Sequence, residues 1–144
     1  MINILTGIES SSAGLSAERV RLEVIAQNIA NANTTRGPDG KAYQRQQVVF
    51  QSVLNDRLNM AAGTGTDSYK VEVGAIQKDG RAARLVYNPG HPDADGQGMV
   101  AVPDINIHEE MADLLTASRA FEANLAVVKN SRAMALQTLA IGKR

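Results

Sequence analysis

The first apolar pattern lies at the start of the chain. Alternating steps of three and four residues from Ile4 meet an apolar side chain at six of eight positions, which is the spacing of a coiled-coil seam. The pattern predicts an amphipathic helix from Ile4 to Ala32. Its positions are Ile4, Ile8, Ser11, Leu15, Glu18, Leu22, Ile25 and Ile29.

A longer pattern of the same kind lies at the end of the chain and predicts a helix from Ile107 to Ile141. Asn106, with Glu109 three residues later, is a candidate capping box, and Gly142 is a stop signal. Steps from Ile107 meet an apolar side chain at eight of ten positions, namely at Ile107, Met111, Leu114, Phe121, Leu125, Val128, Ala135 and Leu139 but not at Ser118 or Arg132.

Both predicted helices are long for a chain of this size. At about 1.5 Å per residue they span roughly 43 Å and 52 Å, so we expect them to pair with each other, with neighbouring copies, or with both. Ser11, Glu18, Ser118 and Arg132 interrupt narrow stripes that alanines flank, a pattern that favours several closely packed helices. The predicted assembly interface is Ile8, Leu15, Leu22, Ile25, Ile29, Met111, Leu114, Phe121, Leu125, Val128 and Leu139.

The segment between the helices has a different character. Gln46–Leu54 has a short apolar core that fits a strand or a helix, and we favour a strand, while residues 59–68 are small and polar and predict a mobile loop. Residues 69–87 alternate around Asp79 and Gly80, which predicts a β-hairpin. The expected fold is α+β, with an N-terminal helix and exit (1–35), a β-rich middle (36–105) and a C-terminal helix (106–144).

Composition and charge exclude several classes of function. The 144 residues suit one domain, and 15 basic against 15 acidic residues give no electrostatic reason to expect nucleic acid as a partner. Without cysteine there are no disulfides or thiolate sites. No window is long and apolar enough to insert in a membrane, and the start, "MINILTGIESSSAG", lacks the features of a cleaved signal peptide.

Candidate catalytic chemistry is weak. We interpret His91 and His108 as surface residues without a catalytic role. The stretch from Asp93 to Asp104 partly matches a calcium loop, but Asp104 is short for a bidentate ligand and no helix leads into the loop, so we interpret its Asp and Gly residues as turn formers. We assign no catalytic, cofactor-binding or metal-binding residues, and expect no cofactor and no enzyme activity.

Three separated stretches resemble the axial proteins of the bacterial flagellum, and in particular the proximal rod proteins of the basal body. They are "SSAGLSAERVRLEVIAQNIANANTT" (11–35), "VYNPGHPDAD" (86–95) and "EMADLLTASRAFEANLAVVKNSRAM" (110–134), so the resemblance spans essentially the whole chain. Departures are small: Phe121 stands where a tyrosine is common, and Asn88-Pro89-Gly90 replaces a more usual Asp-Pro-Ser turn.

The resemblance implies a structural subunit of the rod that carries motor torque across the periplasm. Its implied partners are copies of itself, other rod proteins, components of the junction between the MS ring and the rod, and the flagellar type III export apparatus. The terminal helices would pack into the inner tube of the rod and the middle segment would cover its outside. Export without a cleaved signal peptide would fit the start of the chain.

The polar run after the first helix is then the point where the chain leaves the tube. Asn31 and Asn33 tolerate left-handed backbone and can cap the last carbonyls, while Thr34 and Thr35 favour side-chain turns. An ordinary helix terminus explains the same residues. Two alternative functions stay open from the residues alone: a soluble coiled-coil adaptor that binds one partner helix without polymerising, and a calcium- or nucleotide-dependent enzyme in the middle segment.

Overall fold

Over the residues that the structure describes, the chain forms one long helix near each end with four strands between them. The computed structural model describes residues 4–54 and 69–142. This α+β arrangement confirms the predicted fold class, and the first helix ends two residues earlier than predicted. The elements are α1 (Ile4–Ala30), β1 (Gln46–Leu54), β2 (Tyr69–Lys78), β3 (Arg84–Tyr87), β4 (Met99–Val102) and α2 (Ile107–Ile141).

The two helices pack against each other in opposite directions. Asn28, near the end of α1, touches Glu110, near the start of α2, whereas Gly14 lies against Asn124. A Cβ atom at Gly14 would lie 3.2 Å from the Asn124 amide nitrogen, so glycine permits the helices to approach closely there. At this register α2 extends beyond Ile4, where the described part of α1 begins.

The first turn of α2 is capped by Asn106 as the sequence predicts, but through the N–H of His108 rather than the Glu109 N–H of a capping box. The Asn106 side chain accepts a hydrogen bond from the backbone N–H of His108 at 3.1 Å, and Glu109 and Glu110 place negative charge at the positive end of the helix. At the other end, the Gly142 N–H donates to the carbonyl of Thr138. The Asn106 cap holds Glu110 at a defined position in the first turn of α2.

The strands form two separate antiparallel pairs. β1 pairs with β2 from Gln46 opposite Lys78 to Leu54 opposite Tyr69, and this hairpin packs on α1. β3 pairs with β4. The strand prediction for Gln46–Leu54 is confirmed, and the loop predicted at residues 59–68 lies outside the described residues.

The predicted hairpin of β2 with the strand after it is wrong. After β2, the Asp79 N–H donates to the Arg45 carbonyl at 2.7 Å, and the Asp79 carboxylate accepts hydrogen bonds from Arg81. These contacts fix Asp79 beside the start of β1, so the chain does not fold back onto β2. The turn signal at Asp79 and Gly80 marks the end of a strand rather than the tip of a hairpin.

The connection from β3 to β4 is a loop of residues 88–98 that ends in a tight turn and uses its Asp and Gly residues as predicted. Asp95 Oδ1 accepts hydrogen bonds from the backbone N–H groups of Gln97 and Met99 at 2.8 and 2.9 Å. Gly98 has φ +76°, and a Cβ atom there would lie 3.0 Å from the Tyr87 ring. The turn places Val100 in the interior at 2% exposure.

Candidate assembly site

Most of the predicted interface residues lie on the packed sides of the two helices within one chain. Ile25 is 5% exposed, whereas Met111 and Leu139 are 52% and 66% exposed. Most of the apolar stripe is therefore packed within the chain. Its contact with neighbouring subunits stays a prediction. The half-buried members are Ile8, Leu15, Leu22, Ile29, Leu114, Phe121, Leu125 and Val128.

A second apolar stripe on α2 remains open to solvent. Val127, Met134 and Ile141 are 48%, 53% and 76% exposed, and their spacing of seven residues places them on one side of the helix. The sequence analysis missed this stripe because it followed only one seam, although the heptad spacing was available as a signal. We name these three residues the outer stripe. Leu115 and Leu136 add exposed apolar surface to α2.

The end of α1 is tied to the first strand by a buried amide. The Asn28 side-chain N–H₂ donates to the Gln46 carbonyl at 2.8 Å and to Glu110 Oε2 at 3.0 Å. The Asn28 oxygen accepts from the Gln46 N–H at 2.9 Å and from the Tyr43 hydroxyl at 3.0 Å. At 1% exposure, this one side chain joins α1, α2 and the entrance to β1.

The carboxylate of Glu110 completes the same junction. It is also 1% exposed, and Arg45 Nε donates to its Oε1 at 2.6 Å. The Arg45 guanidinium lies 3.6 Å from Asp79 Oδ2 and 3.7 Å from Asp113 Oδ2. Because a buried charge that loses its partner is strongly destabilising, this arrangement favours one orientation of the β1–β2 hairpin on the helix pair.

The surroundings of this junction shift the pKa values of two side chains. Burial raises the pKa of the Tyr43 phenol, and the negative charge of Glu110 raises it further. The hydrogen bond from the Arg81 side chain lowers the pKa of the Asp79 carboxyl, and the charges of Arg81 and Arg45 act in the same direction. Together, Asn28, Tyr43, Arg45 and Glu110 form what we name the junction cluster.

The predicted exit residues lie beside the junction cluster, where Asn31 caps a carbonyl in the last turn of α1 as predicted but left-handed backbone is not used. Asn31 Nδ2 donates to the Gln27 carbonyl at 2.9 Å, and the Thr34 hydroxyl donates to Asn31 Oδ1 at 3.2 Å. Neither Asn31 nor Asn33 adopts left-handed backbone, since glycines alone have positive φ among the described residues. The Thr35 hydroxyl donates to Asp93 Oδ2 at 2.8 Å and so joins the helix exit to the turn between β3 and β4.

The sequence analysis did not single out the junction cluster. A polar residue on an apolar helical stripe was the available signal: Asn28 follows Val24 and Ile25 by four and three residues. Glu110 likewise lies four residues before Leu114 on the side of α2 that later carries Ala117. Position alone does not reveal that these two polar residues meet, because they are far apart in the chain.

Comparison with known proteins finds family matches over both terminal segments of the chain. Residues 8–38 match the family described as flagella basal body rod protein, and residues 97–141 match the one described as flagellar basal body rod FlgEFG protein C-terminal. In the structure that describes residues 4–54 and 69–142, no helix has the length and hydropathy needed to cross a membrane.

Full-length relatives give the most specific comparison. The flagellar basal-body rod protein FlgC of Borreliella burgdorferi is 39% identical, with 97% of this chain and 98% of the relative aligned. The protein of the same name from Yersinia enterocolitica is 37% identical over 99% and 100% of the two chains, and that from Bacillus subtilis is 34% identical over 92% and 94%. The chain therefore belongs to the FlgC family of flagellar basal-body rod proteins.

Proposed function

We propose that this chain is a structural subunit of the bacterial flagellar basal-body rod, which polymerises through its terminal helices and transmits motor torque. The observation that carries the proposal is the outer stripe, an apolar side of α2 that stays exposed after α1 and α2 have paired. Burial of such a stripe against a neighbouring helix contributes roughly 25 cal/mol per Å². Many such contacts in parallel give a stiff shaft.

The division of the chain into three parts follows from this role. Residues 1–35 and 106–144 would form the shaft, and residues 36–105 would cover its outside. The junction cluster supports this division, because a buried charged contact resists rotation of the β1–β2 hairpin about the helix pair. Torque applied to the middle segment would then be transmitted to the helices without rotation of one against the other.

The partners would be copies of this chain, other rod proteins and components of the junction between the MS ring and the rod. The location would be the periplasm-spanning rod, reached through the flagellar type III export apparatus without a cleaved signal peptide. The relatives are named for the basal-body rod, which supports this location. We infer a structural role rather than an enzymatic one from the same names.

Mass spectrometry of purified hook and basal bodies tests the proposal. The particles are washed to remove peripheral proteins, and a strain that lacks the gene provides the matched blank. We expect peptides of this chain to remain with the particles at a level comparable to other rod proteins. A chain found only as a small soluble complex would instead identify a coiled-coil adaptor.

A further inference from the structure

His91 lies in the loop that joins β3 to β4, and its ring contacts the backbone two residues later. The Asp93 N–H donates a hydrogen bond to His91 Nδ1 at 3.1 Å, and the His91 N–H donates to the Asn88 carbonyl at 3.2 Å. Because the backbone nitrogen carries the proton, this contact requires Nδ1 to be unprotonated. The His91 side chain is 31% exposed, so the ring can exchange protons with solvent.

The contact with His91 also positions the carboxylate of Asp93. Asp93 Oδ2 accepts a hydrogen bond from the Thr35 hydroxyl at 2.8 Å, and Asp93 Oδ1 lies 3.7 Å from the Arg36 guanidinium. Thr35 and Arg36 belong to the exit from α1, so this carboxylate joins the loop to the helix exit. Among the described helices and strands, β3 and β4 lie close only to each other, so loop contacts of this kind help to hold the pair in place.

A proton on Nδ1 removes the contact between the ring and the Asp93 backbone. Histidine is the side chain whose ordinary change of charge falls between about pH 5 and 8. Both nitrogens of an imidazolium are donors, so the Nδ1–H of His91 and the N–H of Asp93 would face each other at 3.1 Å as two donors. The ring must then turn away, and the Asp93 N–H loses its acceptor.

Attraction between the protonated ring and the Asp93 carboxylate does not replace this hydrogen bond. His91 Nδ1 lies 3.9 Å from Asp93 Oδ2, and both side chains are partly exposed, which weakens the attraction. Arg36 already places a positive charge beside the same carboxylate and repels a second one. The cleft that Asp93 lines has three further charged residues, none of which forms an ion pair with His91 or Asp93 among the described residues: Asp39, Lys41 and Lys78.

We propose that His91 is a pH-sensitive switch in the loop of residues 88–98. The neutral ring holds the Asp93 N–H and so keeps the Asp93 carboxylate on the helix exit, whereas the protonated ring releases it. Acidification therefore loosens the loop and its attachment to Thr35, and the two helices stay paired. The inference concerns the isolated chain and does not depend on the proposed function.

His91→Asn is a matched variant that keeps the contact without the change of charge. The side-chain oxygen of asparagine can accept a hydrogen bond from the backbone N–H two residues later, and asparagine does not titrate in this range. The Asp93 N–H should therefore keep its acceptor at neutral and at acid pH. His108→Asn is the control, because it removes the other histidine of the chain, which is exposed in the first turn of α2.

Hydrogen exchange of the Asp93 amide in the full-length chain, measured by NMR at about pH 7.5 and about pH 5, tests the switch. The wild-type rate is divided by the rate in His91→Asn at the same pH, which removes the pH dependence of the exchange chemistry itself. We expect this ratio to rise about fivefold on acidification, and to rise equally when His108→Asn takes the place of wild type. A ratio that stays constant would overturn the switch.

A titration of the wild-type chain gives a second test that needs no variant. We expect the NMR shifts of the Asp93 and Thr35 amides to change with the same midpoint as the signals of the His91 ring. Amide shifts that follow a different midpoint, or that do not change while the ring titrates, would overturn the link between His91 and the helix exit.

Discussion

Asn28 and Glu110 are separated by 82 positions in the chain, yet the Asn28 amide donates to the Glu110 carboxylate at 3.0 Å in the interior. Both side chains are 1% exposed. This contact joins the end of one helix to the start of the other and holds the β1–β2 hairpin beside them through the Asn28 contacts with Gln46. The polar cluster thus contributes to the stability and orientation of the β1–β2 hairpin.

Removal of this amide tests the junction cluster directly. Asn28→Ala deletes four hydrogen bonds and leaves the Glu110 carboxylate with fewer donors, so we expect a loss of about 3 kcal/mol in the free energy of unfolding. Urea denaturation followed by circular dichroism measures it. Asn33→Ala, at an exposed position, is the control and should change stability by less than about 0.5 kcal/mol. Equal losses of stability in the two variants would contradict the conclusion that Asn28 joins α1, α2 and the entrance to β1.

The alkaline stability of the protein should depend on Tyr43. Its folded-state pKa lies above the ordinary 10.0, so the neutral phenol stabilises the fold below pH 10 and this contribution is lost as the pH rises through the folded pKa. Tyr43→Phe loses the hydrogen bond to Asn28, which we expect to lower stability by about 1 kcal/mol at pH 7. Phenylalanine cannot ionise, so the difference from wild type should narrow above pH 10.

Urea titrations of wild type and Tyr43→Phe at pH 7 and pH 10.5 measure this difference. Tyr87→Phe is the matched control at pH 7, since the Tyr87 side chain is 69% exposed and should tolerate the change. A gap between Tyr43→Phe and wild type that widens with rising pH would contradict the raised pKa.

The helices were predictable because their signal is local. The three-and-four spacing, the Asn106 cap and the stop at Gly142 all lie within the segments they describe. Strand pairing was not predictable in the same way: the alternation identified β2, but a turn signal at Asp79 favoured the nearer strand as its partner. The contact that decides the pairing, from the Asp79 N–H to the Arg45 carbonyl, joins residues that a local pattern cannot relate.

The candidate site shows the same difference between local signals, which the sequence reveals, and long-range contacts, which it does not. Apolar spacing located the stripes but could not tell which side α1 would cover, so most of the predicted interface became the packed seam of the chain and the outer stripe was missed. The exit residues were found from composition. Their hydrogen bonds were not, because Thr35 meets Asp93 across 58 positions of sequence.

The contact between Thr35 and Asp93 should hold the turn between β3 and β4 against the helix exit. Thr35→Val keeps the shape of the side chain but removes the hydroxyl, and Arg36, 3.7 Å from the same carboxylate, is the remaining link. We expect cleavage within residues 88–98 by a broad-specificity protease to become several-fold faster, with a stability loss of about 1 kcal/mol.

Thr116→Val is the control, because the Thr116 hydroxyl donates to the Ala112 carbonyl of its own helix. Mapping the first cleavage sites by mass spectrometry distinguishes the two variants. Faster cleavage at the same sites in Thr116→Val would show that the turn does not depend on Thr35.

A substitution in the outer stripe tests assembly separately from folding. Leu125→Asp places a charge at a half-buried position and should disturb both the helix pair and the rod. Val127→Asp changes a side chain that is 48% exposed, so we expect the purified subunit to keep its Tm within about 2 °C while rod assembly and swimming are lost.

Asn130→Asp is the matched control for Val127→Asp, since it adds the same charge one turn further along α2 at an exposed polar position. Soft-agar swimming and the content of this chain in purified basal bodies measure assembly, and thermal denaturation measures folding. Normal swimming in Val127→Asp would mean that the outer stripe faces solvent in the rod. Loss of swimming in both variants would trace the effect to charge on α2 and not to the apolar stripe.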